Sequence, residues 1–117
     1  MRMFAVLALL TFAAAVQAGD AKTYGKPLPE GLQKEDLDAL KEGIGNLEKQ
    51  IENVRTFGIP VVVAVNVFPT DTEAEIEFVK QAALAAGASA AHVSTLFADG
   101  GKGGEDLAHA LVKACDE

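Results

Sequence analysis

The chain has 117 residues, enough for one domain of modest size. It is 50% hydrophobic and 23% charged, a globular rather than a disordered composition. Its 10 basic residues against 17 acidic ones leave a net charge of −7 with no basic stripe, so no nucleic-acid partner is expected.

The single cysteine, Cys115, cannot close an internal disulfide, which excludes a stapled secreted scaffold. His92 and His109 fit no metal-ligand spacing, so no metal site is expected.

Residues 1–19 read as a hydrophobic leader of signal-peptide type. Arg2 gives a short positive start, and Phe4 to Val16 is an apolar run of 13 residues broken only by Thr11. Val16-Gln17-Ala18 places small side chains at the two positions that a signal peptidase reads. The run is shorter than the about 20 residues a membrane span needs, so no span is expected once such a leader is removed. A buried helix or a misplaced gene start are the other readings. Residues 20–32, with Gly25, Pro27, Pro29 and Gly31, have no periodicity and read as a linker.

Residues 33–117 read as an α/β segment in the order helix-strand-helix-strand-helix. From Gln33 to Phe57 the apolar residues Leu37, Leu40, Ile44, Leu47, Ile51 and Val54 recur at spacings of 3, 4, 3, 4 and 3. This is one stripe of a helix, with Glu, Lys, Asp and Asn on the other face. Gly58 is expected at the C′ position, and Pro60 prevents continuation.

Val61 to Val65 is a continuous, mostly β-branched apolar run, the pattern of a parallel strand buried on both faces. Thr70 to Glu73 opens the next helix. Thr70 with Glu73 and Thr72 with Glu75 both fit a capping box. Ile76, Val79, Ala83 and Leu84 form its apolar face, and Gly87 ends it. A shorter strand is expected over Ala90 to Thr95. A connection with four glycines, Leu96 to Gly104, then leads into a helix from Glu105 to Cys115, with Leu107, Ala108, Leu111 and Ala114 inward. Two parallel strands joined by a right-handed crossover are too few for an independent doubly wound sheet, so the segment reads as part of a larger α/β domain.

In open α/β sheets, ligands bind beyond the carboxyl ends of the strands. Asn66 to Thr72 and Leu96 to Gly104 leave two adjacent strand ends and should lie side by side. Each carries one ring, Phe68 and Phe97, which could face each other across a flat heterocycle; the competing reading makes both ordinary core aromatics. Asn66, Pro69, Thr70, Asp71, Gly100 and Gly101 are the candidates to line such a site.

Gly101-Lys102-Gly103-Gly104 is not a Walker A loop, having neither the spacing nor the Ser or Thr after the lysine. Its backbone amides could hold an anion, although Glu105 and Asp106 oppose that; a flexible connector is the other reading. The Asn-Lys-x-Asp spacing of P-loop nucleotide readers is absent. No Ser-His-Asp order, paired catalytic carboxylates or CxxC appears.

Four segments together resemble formate–tetrahydrofolate ligase, also called 10-formyltetrahydrofolate synthetase: Gly45 to Asn53, Phe57 to Asn66, Phe68 to Glu75, and Phe97 to Gly103. The resemblance runs from about Leu37 to Leu111 and covers only a small part of that family's longer polypeptide. It implies a fragment of a P-loop-NTPase-like three-layer domain. It also implies a cytoplasmic or organellar enzyme of one-carbon metabolism; secretion would follow if residues 1–18 are a true signal peptide.

The family uses ATP with magnesium to activate formate as formyl phosphate, then transfers the formyl group to N10 of tetrahydrofolate. Its phosphate loop lies upstream of the part present here, so no motif for ATP or magnesium is expected in this chain. No catalytic residue is assigned in it, and the chain alone is expected to be inactive. The resemblance implies folate-binding roles for Phe68 and Phe97. The family carries Trp at the second position, in a Trp-Ala-x-Gly-Gly pattern; Phe97 offers less area and no N–H donor. Ala21 to Lys26 keeps a trace of an upstream basic motif.

The expected partners are formate and tetrahydrofolate. Self-association through exposed strand edges would give a homo-oligomer. The alternative functional reading is a non-catalytic exported α/β binding or interaction domain. A truncated product without a stable fold is the third.

Overall fold

A computed structural model describes residues 6–10 and 34–116. In chain order the elements are β1 (Val6–Leu10), α1 (Leu37–Arg55), β2 (Val61–Asn66), α2 (Glu73–Ala85), β3 (Ala90–Ser94), α3 (Leu96–Asp99), a 3-10 helix (Gly100–Gly104) and α4 (Glu105–Asp116). The sheet is parallel with strand order β1-β2-β3.

β2 is the centre of the fold because its sequence has no polar alternation. Val61, Val62, Val63, Ala64 and Val65 are all buried. Successive side chains alternate between faces. Val61, Val63 and Val65 therefore pack with Leu47 and Ile51 of α1 and Val79 and Ala83 of α2. Val62 and Ala64 face the other way and pack with Leu107 and Ala114 of α4. Helices thus cover both faces of the strand. Burying each such valine contributes about 1.5–3 kcal/mol of transfer free energy.

Helix α1 uses the anticipated stripe, with Leu47 and Ile51 fully buried and Leu40, Ile44 and Val54 packed around them. It starts at the first residue of that stripe, Leu37, rather than at Gln33, because the Asp36 carboxylate accepts from Ala39 N–H and caps it there. At the other end Thr56 is the C-cap and Gly58 lies two residues beyond it, with φ +70°.

Helix α2 is capped by Thr72, whose hydroxyl accepts from Glu75 N–H while the Glu75 carboxylate accepts from Thr72 N–H. Of the two capping boxes the sequence allowed, Thr72 with Glu75 is the one formed. Gly87, at φ +96°, closes the helix in a Schellman arrangement. Its N–H donates to the Leu84 carbonyl, and Ala88 N–H donates to the Ala83 carbonyl. Leu84, expected inward, is an exposed residue, as is Ala108 of α4.

The strand count differs from the two read in the sequence. Val6–Leu10 pairs in parallel with β2, Val6 opposite Val61 through Leu10 opposite Val65. A short apolar run cannot be told from a leader by periodicity alone. The rest of the proposed leader and the 20–32 linker lie outside the described residues. Leu96 to Gly104, read as a connector, is two short helical turns. None of the described helices is long and apolar enough to cross a membrane.

Candidate functional site

Asn66 of β2 pairs with Ser94 of β3 at the carboxyl end of the sheet. Val67 N–H extends the ladder by donating to the Ser94 carbonyl at 3.4 Å. The two connections that follow therefore leave the sheet side by side, as the parallel order requires.

The first connection is a tight turn. Asp71 N–H donates to the Phe68 carbonyl at 3.0 Å, and the Asp71 carboxylate accepts from Phe68 N–H at 2.8 Å. Pro69 sits at the first central position of this turn, where its fixed φ is favourable. Asp71 thus holds the backbone of Phe68 in place and uses one carboxylate oxygen to do so. Phe68, Pro69 and Thr70 are exposed, and Asn66 is half-buried.

Below the turn, the Glu75 carboxylate also accepts from Asp36 N–H, and the Thr72 hydroxyl donates to the Glu35 carboxylate. Partial burial pushes the Glu75 carboxyl up. The backbone N–H groups of Thr72 and Asp36 and the Thr72 hydroxyl outweigh that and hold it below its ordinary value of 4.5. This network ties the entry of α1 to the start of α2, directly after the Phe68 turn.

The second connection doubles back on itself. Thr95 N–H donates to the Gly103 carbonyl at 3.0 Å. A Cβ on Gly103 would stand 2.6 Å from the Thr95 carbonyl carbon and 2.7 Å from its oxygen, so only glycine fits there. Gly100 turns the chain at φ +62°, ψ −148°, a region that only glycine adopts readily. Gly101 has open space around it. The result presents Phe97 fully to solvent, and Phe68 is 43% exposed. Neither ring belongs to the buried core.

Between Thr95, Asp99, Lys102 and Gly103 lies an open cavity of about 410 Å³. Thr95, Asp99 and Lys102 were not among the residues the sequence singled out as site-lining. The signal was present in the Gly-Lys-Gly-Gly run, but that run reads first as a failed phosphate loop. Among the described residues no group of three or more His, Cys, Asp or Glu is placed to hold a metal ion. The glycine turn also lacks the hydroxyl residue of a phosphate loop.

This pair of exposed rings on adjacent strand ends stands within a longer sequence match. The family model described as formate–tetrahydrofolate ligase matches residues 5–117. The chain belongs to that family. The mitochondrial C-1-tetrahydrofolate synthase of Saccharomyces cerevisiae is 55% identical over 93 residues, which is 80% of this chain and 10% of that protein. The formate–tetrahydrofolate ligase of Aeromonas hydrophila is 50% identical over 93 residues, 80% of this chain and 16% of that enzyme. The formate–tetrahydrofolate ligase of Cutibacterium acnes is 49% identical over 113 residues, 96% of this chain and 20% of that enzyme. The chain thus spans a fifth or less of these relatives.

Proposed function

We propose that this chain forms the folate-side wall of a formate–tetrahydrofolate ligase site. In the whole enzyme, formate, ATP and tetrahydrofolate would give 10-formyltetrahydrofolate. The observation that carries this reading is the placement of Phe68 and Phe97. Two large aromatic rings stand in solvent on adjacent connections, at the end of the sheet where α/β folds bind ligands. An exposed ring held by a built turn favours stacking on a flat ligand over core packing.

The helices on both faces of β2 support reading the segment as part of a P-loop-NTPase-like three-layer domain. The family match begins at residue 5, and Val6–Leu10 joins the sheet. Both support assigning that segment to the ligase sheet over the exported-domain alternative. The relatives are described as mitochondrial and cytoplasmic, which supports an organellar or cytoplasmic setting. ATP and magnesium would be held by a phosphate loop outside this chain, so the 117 residues alone should not make formyl phosphate.

The test places Phe68→Ala and Phe97→Ala separately in a complete ligase containing this segment and measures tetrahydrofolate binding by calorimetry. Each variant is expected to weaken binding by about 1–3 kcal/mol, the scale of a base stacked on an aromatic side chain. Unchanged binding in both would remove the stacking role.

A further inference from the structure

Asp99-Gly100 is the one Asp-Gly step in the chain, and no Asn-Gly step occurs. We infer that this step is a site of spontaneous covalent modification: the Asp99 carboxyl closes onto the backbone nitrogen of Gly100 and the ring reopens as isoaspartate, which loosens the connection carrying Phe97. The inference does not depend on the folate reading.

The reaction needs a carboxyl free to turn, an unhindered nitrogen one residue on, and a backbone able to rotate between them. Asp99 is exposed and holds neither a hydrogen bond nor an ion pair through its carboxylate among the described residues. By contrast, the Asp36 and Asp71 carboxylates accept from Ala39 and Phe68 N–H, and Asp38 pairs with Lys41. Asp106 and Asp116 lack such a partner, but they stand in α4 before Leu107 and Glu117, whose side chains crowd the attacking nitrogen.

Gly100 has no side chain, and the space around its α-carbon is open, as it is at Gly101. Its φ of +62° and ψ of −148° lie where glycine moves freely and other residues do not. Gly100 N–H donates to the Leu96 carbonyl. That bond closes α3, a four-residue helix with no side-chain cap. A single exposed helical turn has little cooperative support, so it opens readily and frees the nitrogen.

In the first step the Gly100 nitrogen attacks Asp99 Cγ. The N–Cγ bond forms, and the carboxyl hydroxyl leaves with the amide proton as water. The product is a five-membered cyclic imide. Water then adds to one of its two carbonyls. Opening at the Cγ–N bond restores aspartate. Opening at the backbone C–N bond sends the chain through Cβ and Cγ and leaves a free α-carboxylate, which is isoaspartate. One water is lost and one is regained, with no oxidation or reduction.

Isoaspartate adds one methylene to the backbone inside the loop closed by the 3.0 Å bond from Thr95 N–H to the Gly103 carbonyl. That closure has no slack. A Cβ on Gly103 would already stand 2.6 Å from the Thr95 carbonyl carbon. A longer chain between the two residues therefore shifts Gly103 off Thr95 and releases the bond.

The experiment holds the folded 117-residue chain at neutral pH and physiological temperature for several weeks, with a fresh sample digested in parallel. Electron-transfer fragmentation of the peptides distinguishes isoaspartate from aspartate. The aged Asp99 peptide should show a species lighter by one water and then isoaspartate in excess, while the Asp36 and Asp71 peptides stay unchanged. Asp99→Glu should abolish both species, because its ring would have six members and close far more slowly. Asp99→Asn should reach the same imide faster, since ammonia leaves in place of water. In the aged wild type, hydrogen exchange at the Thr95 amide should quicken by about two- to tenfold, the factor that loss of one hydrogen bond gives.

An Asp99 peptide with no more isoaspartate than the fresh sample, or than the Asp36 and Asp71 peptides, overturns the site. Isoaspartate that forms in urea but not in the folded chain means that the turn protects Asp99, and overturns it as well. Isoaspartate at Asp99 with unchanged Thr95 exchange overturns the loosening.

Discussion

Gly103→Ala tests whether the site depends on the turn locked beneath it. The added methyl would meet the Thr95 hydroxyl oxygen at 2.5 Å, the Thr95 carbonyl carbon at 2.6 Å and its oxygen at 2.7 Å. Two of those three atoms are backbone directly after β3, so they cannot swing aside as a side chain could. Relief requires Gly103 to move away, which breaks the 3.0 Å bond from Thr95 N–H. Overpacking of this kind costs about 1–3 kcal/mol, and loss of the hydrogen bond adds about 0.5–1.5 kcal/mol.

Gly101→Ala provides the contrast on the same turn. It has open space and no positive φ, so it should be neutral in stability or gain up to about 1 kcal/mol through a stiffer unfolded chain. Urea unfolding followed by far-ultraviolet circular dichroism reads both, since the chain has no tryptophan to report. A Gly103→Ala variant as stable as Gly101→Ala would refute the locked turn.

Two further outcomes follow from the packing and the caps. Ile51→Ala removes a fully buried side chain between α1 and β2 and should cost about 2–5 kcal/mol in urea unfolding; a loss below about 1 kcal/mol would mean that α1 does not cover the sheet. Glu75 has a folded-state carboxyl below 4.5, so its stabilisation is present above that pH and is lost as pH falls through the folded value. Glu75→Gln should therefore be less stable than wild type at neutral pH, with the gap closing below about pH 4.5. A pH-independent gap would contradict the cap assignment.

The helices and the central strand were legible because their signals are local. The α1 stripe and the Val61 to Val65 run each carry one unambiguous period. The sequence allowed two capping boxes, and choosing Thr72 over Thr70 needed the turn at Pro69, which holds Thr70 outside the helix. β1 was not legible as a strand, because its apolar run resembles a leader and only pairing with β2 distinguishes it. The connection after β3 was misread for a related reason. Its glycines signal flexibility in isolation, yet Gly103 is there because Thr95 leaves no room for a side chain.

Of the proposed site, the positions of Phe68 and Phe97 just after the two strands were legible, and the family resemblance pointed to the same two rings. Their exposure was not, since a ring beside a buried strand reads equally well as core. Thr95, Asp99 and Lys102 come together only when the second connection folds back.

The central claim is that these two rings clamp a folate. The most direct measurement is ligand-observed saturation-transfer NMR, irradiating the aromatic protons of the chain and watching bound tetrahydrofolate. The account predicts strong transfer to the ligand's ring protons, abolished in the Phe68→Ala/Phe97→Ala double variant. Transfer that persists in that variant, or none from the wild type, would contradict it.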